Sequence, residues 1–339
     1  KKNSSSRVQW WGSLAAAQLM QVPEISLQGF FQAAAACNSS EDLAYDPHVR
    51  AVASQLRTAC EEVGFFIVTD HGVSKSLTES FRKECLAFFR RSPQSNVLGM
   101  VSADSRFVWL DYVPAENGQG DSWSLGPAQG RGSLPWELDS QELKHIWTAY
   151  YAAVEALVSA LMKLFALAMQ LPVNTFDDAL AGHRSSMRAI LYPKVTEEEL
   201  AASGGEVLRS PEHTDWGCVT VLLPDPDVSG LEVCDKDGQW SSVQAKSGGL
   251  VVNLGELMQW WTGGKWLATP HRVIARQNSA GDRLSCPYFG LVNRSTILRP
   301  LVADAKGDAL TAGEFFQSHE KYVRPWSERW TQELASKKK

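Results

Sequence analysis

The spacing of hydrophobic residues in the first half of the chain is that of amphipathic helices. Apolar side chains recur every three or four positions over residues 48–63, in a segment that starts near Ser76, and over residues 140–171. Glu79 follows Ser76 by three positions, as in a capping box, so Ser76 is the predicted N-cap of the second helix. We interpret these helices as scaffold that packs on a sheet.

The hydrophobic pattern changes in the second half to short apolar runs separated by Gly, Pro, Asp and Ser. Runs of this length with turn residues between them are typical of β-strands. The predicted strands lie at 189–192, 218–223, 231–234, 250–254 and 284–292. An aromatic-rich run that closes at Asp70 is a further buried strand. The sequence therefore predicts a mixed α+β fold with a jelly-roll core and flanking α-helices.

A stretch rich in Gly, Ser and Asp occupies residues 101–136. Loops of this length are usually functional or disordered, and interspersed aromatic residues favour an ordered loop. The aromatic residues are Phe107, Trp109, Tyr112 and Trp123. We predict a substrate lid that determines specificity. A last helix is predicted over residues 311–322, where it would cover the barrel mouth or an outer face.

Composition and charge are those expected of a soluble enzyme. The 339 residues carry a formal net charge of -5, and the sequence has no Lys/Arg-rich stripe with interleaved aromatic residues, which argues against a nucleic-acid partner. No apolar run approaches the length that crosses a bilayer. We expect a single-domain, monomeric, cytoplasmic protein with a small-molecule substrate and no membrane partner.

Six cysteines are scattered without C-x-x-C spacing, and buried free thiols are the default interpretation. A secreted, disulfide-bonded protein is the alternative, and the tripeptides at Asn3, Asn38 and Asn293 would fit glycosylation. The sequence begins with Lys1, and the apolar stretch at 14–20 is interpreted as a short amphipathic helix in preference to part of an organelle-targeting segment.

The candidate chemistry is concentrated in His213, Asp215 and His271. Two imidazoles and one carboxylate are the ligands of a mononuclear non-haem iron site, where they leave one face of an octahedron open for oxygen. Taken alone, these residues could equally be a hydrogen-bonded turn and a core histidine. Arg283 and Ser285 are two positions apart, so on a strand they would point the same way and could bind a carboxylate. Iron and a captured acid together suggest 2-oxoglutarate.

Blocks of sequence from Val22 to about Gly290 occur in the order of one family. The blocks are 22–27, 64–73, 230–233, 250–257, 261–264, 269–273 and 283–289. With them, the chain resembles the 2-oxoglutarate and iron(II)-dependent dioxygenases of the isopenicillin N synthase-like group. The resemblance implies a double-stranded β-helix within a single catalytic unit over 1–339, with an N-terminal helical and strand region at 22–135, a cofactor-binding jelly-roll core at 185–295 and a C-terminal helical segment at 311–335.

The resemblance also implies a role for each candidate residue. His213, Asp215 and His271 would bind iron(II), and Arg283, Ser285 and Tyr192 would hold 2-oxoglutarate. Two features depart from the family pattern. Ile190 stands where many relatives have asparagine, so a polar contact near the keto acid is lost or replaced. The spacing from His271 to Arg283 is longer than in many relatives, and a hairpin turn can absorb the insertion.

The implied reaction couples dioxygen and 2-oxoglutarate to hydrogen abstraction from a small-molecule metabolite, with release of succinate and carbon dioxide. Hydroxylation, desaturation and oxidative cyclisation remain open. No side-chain acid or base is required, and ascorbate is expected to support activity. Asp215 argues against halogenation, which needs this position vacated. The alternatives are a 2-oxoglutarate-independent iron oxidase and a non-catalytic binding protein on the same scaffold.

Candidate substrate contacts are cations that would bind an acid and aromatic residues that would line an apolar pocket. The cations are Arg106, Arg188 and Lys194, and the aromatic residues are Phe107, Trp109, Tyr112, Trp123 and Phe289. Each could equally be a surface charge or a core aromatic residue, so the sequence leaves the substrate open.

Overall fold

Helices make up most of the described residues in the N-terminal half of the protein, and they cover a sheet. The computed structural model describes residues 21–37, 39–91, 108–112, 141–244, 248–301 and 309–317. The helices are α1 (Gln28–Ala36), α2 (Ser40–Tyr45), α3 (Pro47–Glu62), α4 (Lys75–Arg91), α5 (Gln141–Ala168), α6 (Asp177–Leu180), α7 (Glu197–Ala202), α8 (Glu256–Trp261) and α9 (Ala312–Gln317). The predicted helices at 48–63 and 140–171 correspond to α3 and α5. For the last predicted helix, residues 318–322 lie outside the described residues.

The start of α4 is fixed by a serine that differs from the predicted one. The hydroxyl of Ser74 accepts a hydrogen bond from the backbone N–H of Leu77 at 3.1 Å, so it satisfies one of the N–H groups that a helix start leaves unpaired. The helix begins at Lys75, which places Ser76 inside its first turn. The prediction of Ser76 as the N-cap is therefore wrong, because Ser74 offers the same chemistry two residues earlier.

The strands form two main sheets, and the main hydrophobic core lies between the larger sheet and the helices. The strands are β1 (Glu24–Ser26), β2 (Phe65–Thr69), β3 (Val108–Tyr112), β4 (Ser186–Tyr192), β5 (Val207–His213), β6 (Val219–Leu223), β7 (Leu231–Cys234), β8 (Trp240–Ser242), β9 (Leu250–Leu254), β10 (His271–Ala275), β11 (Arg283–Gly290), β12 (Ile297–Leu298) and β13 (Leu310–Thr311). The larger sheet has the order β1-β2-β9-β6-β11-β4-β3, and the smaller has the order β5-β10-β7-β8. Residues from both sheets line one central cavity, which confirms the predicted jelly-roll core.

Part of the predicted lid is a strand. Residues 108–112 form β3 and pair with β4 at the edge of the larger sheet, so the prediction of a loop over all of 101–136 is wrong at these positions. An edge strand pairs with only one neighbour, so it can be short and need not be strongly apolar. The polar residues on either side of β3 also make this part of the sequence look like a loop. Arg106, Phe107 and Trp123 lie outside the described residues.

Helix α5 is apolar around most of its circumference because it is buried. It packs against α3, α4 and β11, and its inner residues include Trp147, Val154 and Leu161. Its 28 residues are long and apolar enough to cross a membrane by length and composition, so the prediction that no run reaches this length is wrong. Within the protein, 61% of its most apolar window is buried, and a core position explains such a composition.

The cysteines agree with the prediction of free thiols. None of the six forms a disulfide, and all except Cys37 are buried. Burial raises the pKa of the Cys60, Cys85 and Cys218 thiols. Buried thiols of raised pKa are poor nucleophiles, so these side chains contribute to packing.

Candidate functional site

Three potential metal ligands meet where β5 ends and β10 begins. His213 is the last residue of β5, His271 is the first residue of β10, and the two are directly paired in the antiparallel ladder. Asp215 follows β5 by two residues. One potential ligand atom from each of the three side chains lies within 4.8 Å of the others. The structure thus brings together the triad predicted from the sequence.

Backbone carbonyl groups orient both imidazole rings. Nδ1 of His213 lies 2.8 Å from the carbonyl oxygen of Pro211, and Nδ1 of His271 lies 3.2 Å from that of Thr269. A carbonyl oxygen only accepts, so in the neutral ring each Nδ1 carries the proton and each Nε2 has a lone pair for a metal. Nε2 of His271 lies 3.9 Å from Oδ1 of Asp215, so the lone pairs and the carboxylate face one point.

Two hydrogen bonds orient the Asp215 carboxylate. Its Oδ2 accepts from Thr220 Oγ1 at 2.6 Å and from Asn253 Nδ2 at 2.7 Å, which leaves Oδ1 for a metal. Burial raises the pKa of Asp215, but His271, His213 and the two hydrogen bonds outweigh burial, so the pKa is lowered. Burial and the neighbouring His213 lower the pKa of His271 to about 4. A charged carboxylate with neutral imidazoles is the state that a metal ion requires, so these residues fit iron(II).

The predicted cosubstrate residues lie on two neighbouring strands. Arg283 and Ser285 are two positions apart on β11, and Tyr192 is the β4 residue paired with Arg283. Only 2% of the Arg283 surface is exposed, and its Nε and Nη1 have no hydrogen-bond partner in the described part of the chain. Burial raises the pKa of Tyr192, so its phenol stays protonated and can donate. A buried guanidinium with unused donors fits a carboxylate ligand.

A cavity of about 330 Å³ connects the triad with Arg283 and Ser285. Arg188 and Phe289 line it as predicted, and the Arg188 guanidinium lies 5.9 Å from the centre of the Phe289 ring. Ile190 also lines it, opposite Ser285, so an apolar side chain occupies the position where relatives carry asparagine. The backbone of Tyr112 lies in β3. Lys194 is not among the residues that line the cavity.

Family comparisons agree with this geometry. Residues 183–291 match the model of the 2OG-Fe(II) oxygenase superfamily, and residues 28–121 match the model described as non-haem dioxygenase in morphine synthesis N-terminal. The 2-oxoglutarate-Fe(II) type oxidoreductase hxnY of Emericella nidulans is 30% identical over 265 residues, which cover 69% of this chain and 72% of that protein. The chain belongs to the 2-oxoglutarate/iron(II) oxygenase family. Iron(II) and 2-oxoglutarate are therefore the cofactors of this oxygenase.

Other proteins match the oxygenase over most of its length. The homoarginine-6-hydroxylase of Glycine max is 28% identical over 277 residues, which cover 76% of this chain and 83% of that protein. A full-length Neurospora crassa protein, solved in complex with alpha-KG and 5-formyluracil, has a TM-score of 0.74 and 20% identity, with 89% of this chain and 96% of that chain covered. The structural match supports the jelly-roll fold, and the Glycine max relative is named for a small molecule, homoarginine.

Several side chains at the oxygenase site carry no role in the sequence prediction. Thr220 and Asn253 hold Asp215, and Phe65 and Trp216 line the cavity. The sequence does contain a signal for Thr220 and Asn253, because each is a polar residue inside an otherwise apolar strand, β6 and β9. Glu256, the first residue of α8, is a fifth residue at the site for which the sequence predicted no role. It accepts a hydrogen bond from the Thr214 hydroxyl, and burial raises its pKa to about 7. Its contact fixes the turn between the first two triad residues.

Replacing Asn253 with alanine is expected to weaken iron binding about 10- to 100-fold, which is the usual effect of losing a partner of a metal ligand. The variant removes the amide that holds Oδ2 of Asp215, so the carboxylate can rotate away from the metal position. Anaerobic titration with iron(II) measures the change. Asn293→Ala is the matched control, because that side chain bonds the Ala181 carbonyl away from the cavity. Equal affinities for all three proteins would contradict this role.

Proposed function

We propose that this oxygenase hydroxylates a small metabolite that carries a carboxylate or a carbonyl group able to accept hydrogen bonds. His213, Asp215 and His271 would hold iron, and Arg283, Ser285 and Tyr192 would hold 2-oxoglutarate. The observation that carries the proposal is the Arg283 guanidinium, buried with unused donors on the wall of the cavity that also contains the triad. A relative named as a hydroxylase supports hydroxylation over desaturation and cyclisation.

In this reaction the protein binds and orients the reactants and excludes water from them. The chemistry supplied by bound iron and 2-oxoglutarate is oxidative decarboxylation with dioxygen, which yields succinate, carbon dioxide and an oxidant for a substrate C–H bond. Apolar side chains of Phe65, Leu222 and Val273 line the cavity and exclude water from the reacting atoms. The cavity wall would hold the target carbon close to the oxidant, and such placement of reacting atoms raises the rate.

The substrate class follows from the other side chains on the cavity wall. Arg188 provides a cation, and Phe289 and Trp216 provide aromatic faces. A guanidinium beside aromatic rings suits a ligand that combines a carboxylate or carbonyl group with an apolar or planar body. Homoarginine, named for one relative, carries a carboxylate, and 5-formyluracil, bound by another, is planar with carbonyl groups. We include both classes in the test.

The test measures succinate from protein loaded with iron(II) anaerobically and then given 2-oxoglutarate, ascorbate and oxygen. A panel of amino-acid-like acids, nucleobases and apolar compounds is tested beside a His213→Ala control. Succinate that rises with one compound, with a product heavier by one oxygen, supports hydroxylation. A product lighter by two hydrogens favours desaturation or cyclisation instead. Substrate consumption without succinate would refute the 2-oxoglutarate-dependent reaction.

Replacing Arg188 with leucine is expected to lower kcat/KM for an acidic substrate by about 10- to 100-fold, the range of a lost charge-assisted hydrogen bond. The affinity for 2-oxoglutarate should stay the same, because Arg283 and Ser285 are unchanged. Arg188→Lys, which keeps the charge, should recover part of the loss. Steady-state kinetics with the best substrate and its methyl ester measure the effect. An equal loss on acid and ester would show that Arg188 does not recognise the acid.

A further inference from the structure

A second buried arginine lies beside the proposed cosubstrate residues, at a β-bulge in β5. In the ladder with β10, Ser210 pairs with Val273 and Leu208 pairs with Ile274. Arg209, between them, has no partner on β10 and is the extra residue of the bulge. Bulges re-aim side chains and are common beside active sites. Only 3% of the Arg209 surface is exposed, so the bulge places this side chain inside the protein.

Arg209 connects the ends of the two strands that carry the proposed cosubstrate residues. Its Nη2 donates to the carbonyl oxygen of Pro193 at 3.0 Å and to that of Gly281 at 2.6 Å. Pro193 follows Tyr192 at the end of β4, and Gly281 precedes Arg283 by two residues. The second contact lies in the turn that lengthens the spacing from His271 to Arg283. Arg209 therefore fixes the position from which Arg283 enters the barrel.

The same end of the barrel holds two buried guanidinium groups whose hydrogen-bond donors are only partly used. Nε and Nη1 of Arg209, like those of Arg283, are buried and have no hydrogen-bond partner among the described residues. Asp282 and Asp225 are near enough to favour the charged form of Arg209, but neither is hydrogen-bonded to its guanidinium. Asp225 accepts from the Leu284 N–H at 2.8 Å, and Asp282 accepts from the Lys194 N–H at 2.7 Å.

Arg209 remains a cation at neutral pH. Burial and the charge of Arg283 lower its pKa to about 10, which is still above neutrality. Two buried guanidinium groups lie beside Tyr192, neither is hydrogen-bonded to a carboxylate of the described chain, and each keeps unused donors. Buried charges without a partner are costly, so an anionic ligand is expected to stabilise both.

We propose that Arg209 is a positioning residue that makes this oxygenase selective for a cosubstrate with a distal carboxylate. It does not line the cavity, so it acts through Arg283, by fixing the turn before β11 and by adding a second positive charge behind the site. The proposal goes beyond the proposed function, since it concerns which 2-oxo acid is accepted and not which substrate is oxidised.

The test uses calorimetry to measure the binding of two ligands to the full chain loaded with Mn(II). One ligand is 2-oxoglutarate, and the other is 2-oxopentanoate, which has the same carbon chain without the distal carboxylate. Arg209→Gln removes the charge but keeps an amide that can donate to the turn carbonyls, whereas Arg209→Lys keeps the charge. We expect Arg209→Gln to weaken 2-oxoglutarate binding about tenfold or more and 2-oxopentanoate binding little, and Arg209→Lys to stay near the unsubstituted protein.

Other outcomes overturn the proposal. Equal weakening of both ligands in Arg209→Gln would mean that the arginine only maintains the fold. Equal losses in the Gln and Lys variants would exclude a contribution from charge. If Arg209→Gln does not fold by circular dichroism, the milder Gly281→Ala variant, which alters the turn that Arg209 contacts, decides: an unchanged ratio of the two affinities in that variant refutes the proposal. Failure of the unsubstituted protein to bind 2-oxoglutarate would instead contradict the cofactor assignment.

Discussion

Replacing Arg283 with methionine is expected to abolish useful 2-oxoglutarate binding and to stabilise the ligand-free protein. Arg283 is almost fully buried, and two of its nitrogen atoms have no partner in the described structure. Methionine fills a similar volume without the cost of an unpaired buried charge, so the free energy of unfolding should rise by about 1–3 kcal/mol. The dissociation constant for 2-oxoglutarate should rise at least about 100-fold, because truncating one partner of a buried charge pair costs about 2–5 kcal/mol.

Denaturant unfolding without ligand and calorimetry with 2-oxoglutarate test the two halves of this result. Arg57→Met is a suitable control, because Arg57 is half exposed and pairs with Glu61 on the surface of α3. This control should leave both quantities unchanged. A less stable Arg283→Met protein would mean that the guanidinium is already satisfied in the ligand-free state. Unchanged affinity would remove Arg283 from the cosubstrate site.

Replacing Asp215 with asparagine is expected to eliminate iron binding and succinate formation, although the two side chains have almost the same shape. Thr220 and Asn253 both donate to Oδ2 of Asp215, so the amide oxygen of asparagine would turn toward them. Its NH₂ group would then face the metal position, and an amide nitrogen with two hydrogens donates and does not accept. We expect iron affinity to fall by more than the 10- to 100-fold loss that follows removal of a ligand's partner.

Metal content after anaerobic loading, together with succinate release, measures this effect. Asp235→Asn is the control, because that carboxylate accepts backbone N–H groups in a surface turn. The control should keep normal iron content. If Asp215→Asn retains iron at the level of the control, the carboxylate does not ligate the metal and the proposed triad is wrong.

The residues of the triad could be predicted from the sequence because their chemistry is local. His213 and Asp215 are two positions apart, and the surrounding blocks identify the family that uses this pair. Arg283 and Ser285 are recognisable for the same reason. The apolar runs of β7 and β9 gave the strand bounds directly, since strands buried on both faces contain few other residues.

The remaining features depend on pairing between distant segments. Arg209 lies inside the barrel only because β5 has an extra residue opposite β10, and no local pattern marks a bulge of this kind. Asn253 lies in β9 of the larger sheet and donates to Asp215, which follows β5 of the smaller sheet, so its role appears only once both sheets are assembled. The strand β3 forms only because it pairs with β4, which lies far away in the sequence. Ser74 and Ser76 can both cap a helix start, so the local sequence does not decide which of them caps α4.

Helix α5 has a consequence for how the polypeptide is made. Its apolar surface is covered partly by α3 and α4, which precede it, and partly by β6 and β11, which follow it in the chain. Segments of a chain emerge from the ribosome in order, and earlier ones can fold first. We expect the three helices to associate while the side of α5 that later meets the sheet is still uncovered. During synthesis, this nascent helix would present chaperones with a surface that resembles a membrane-spanning segment.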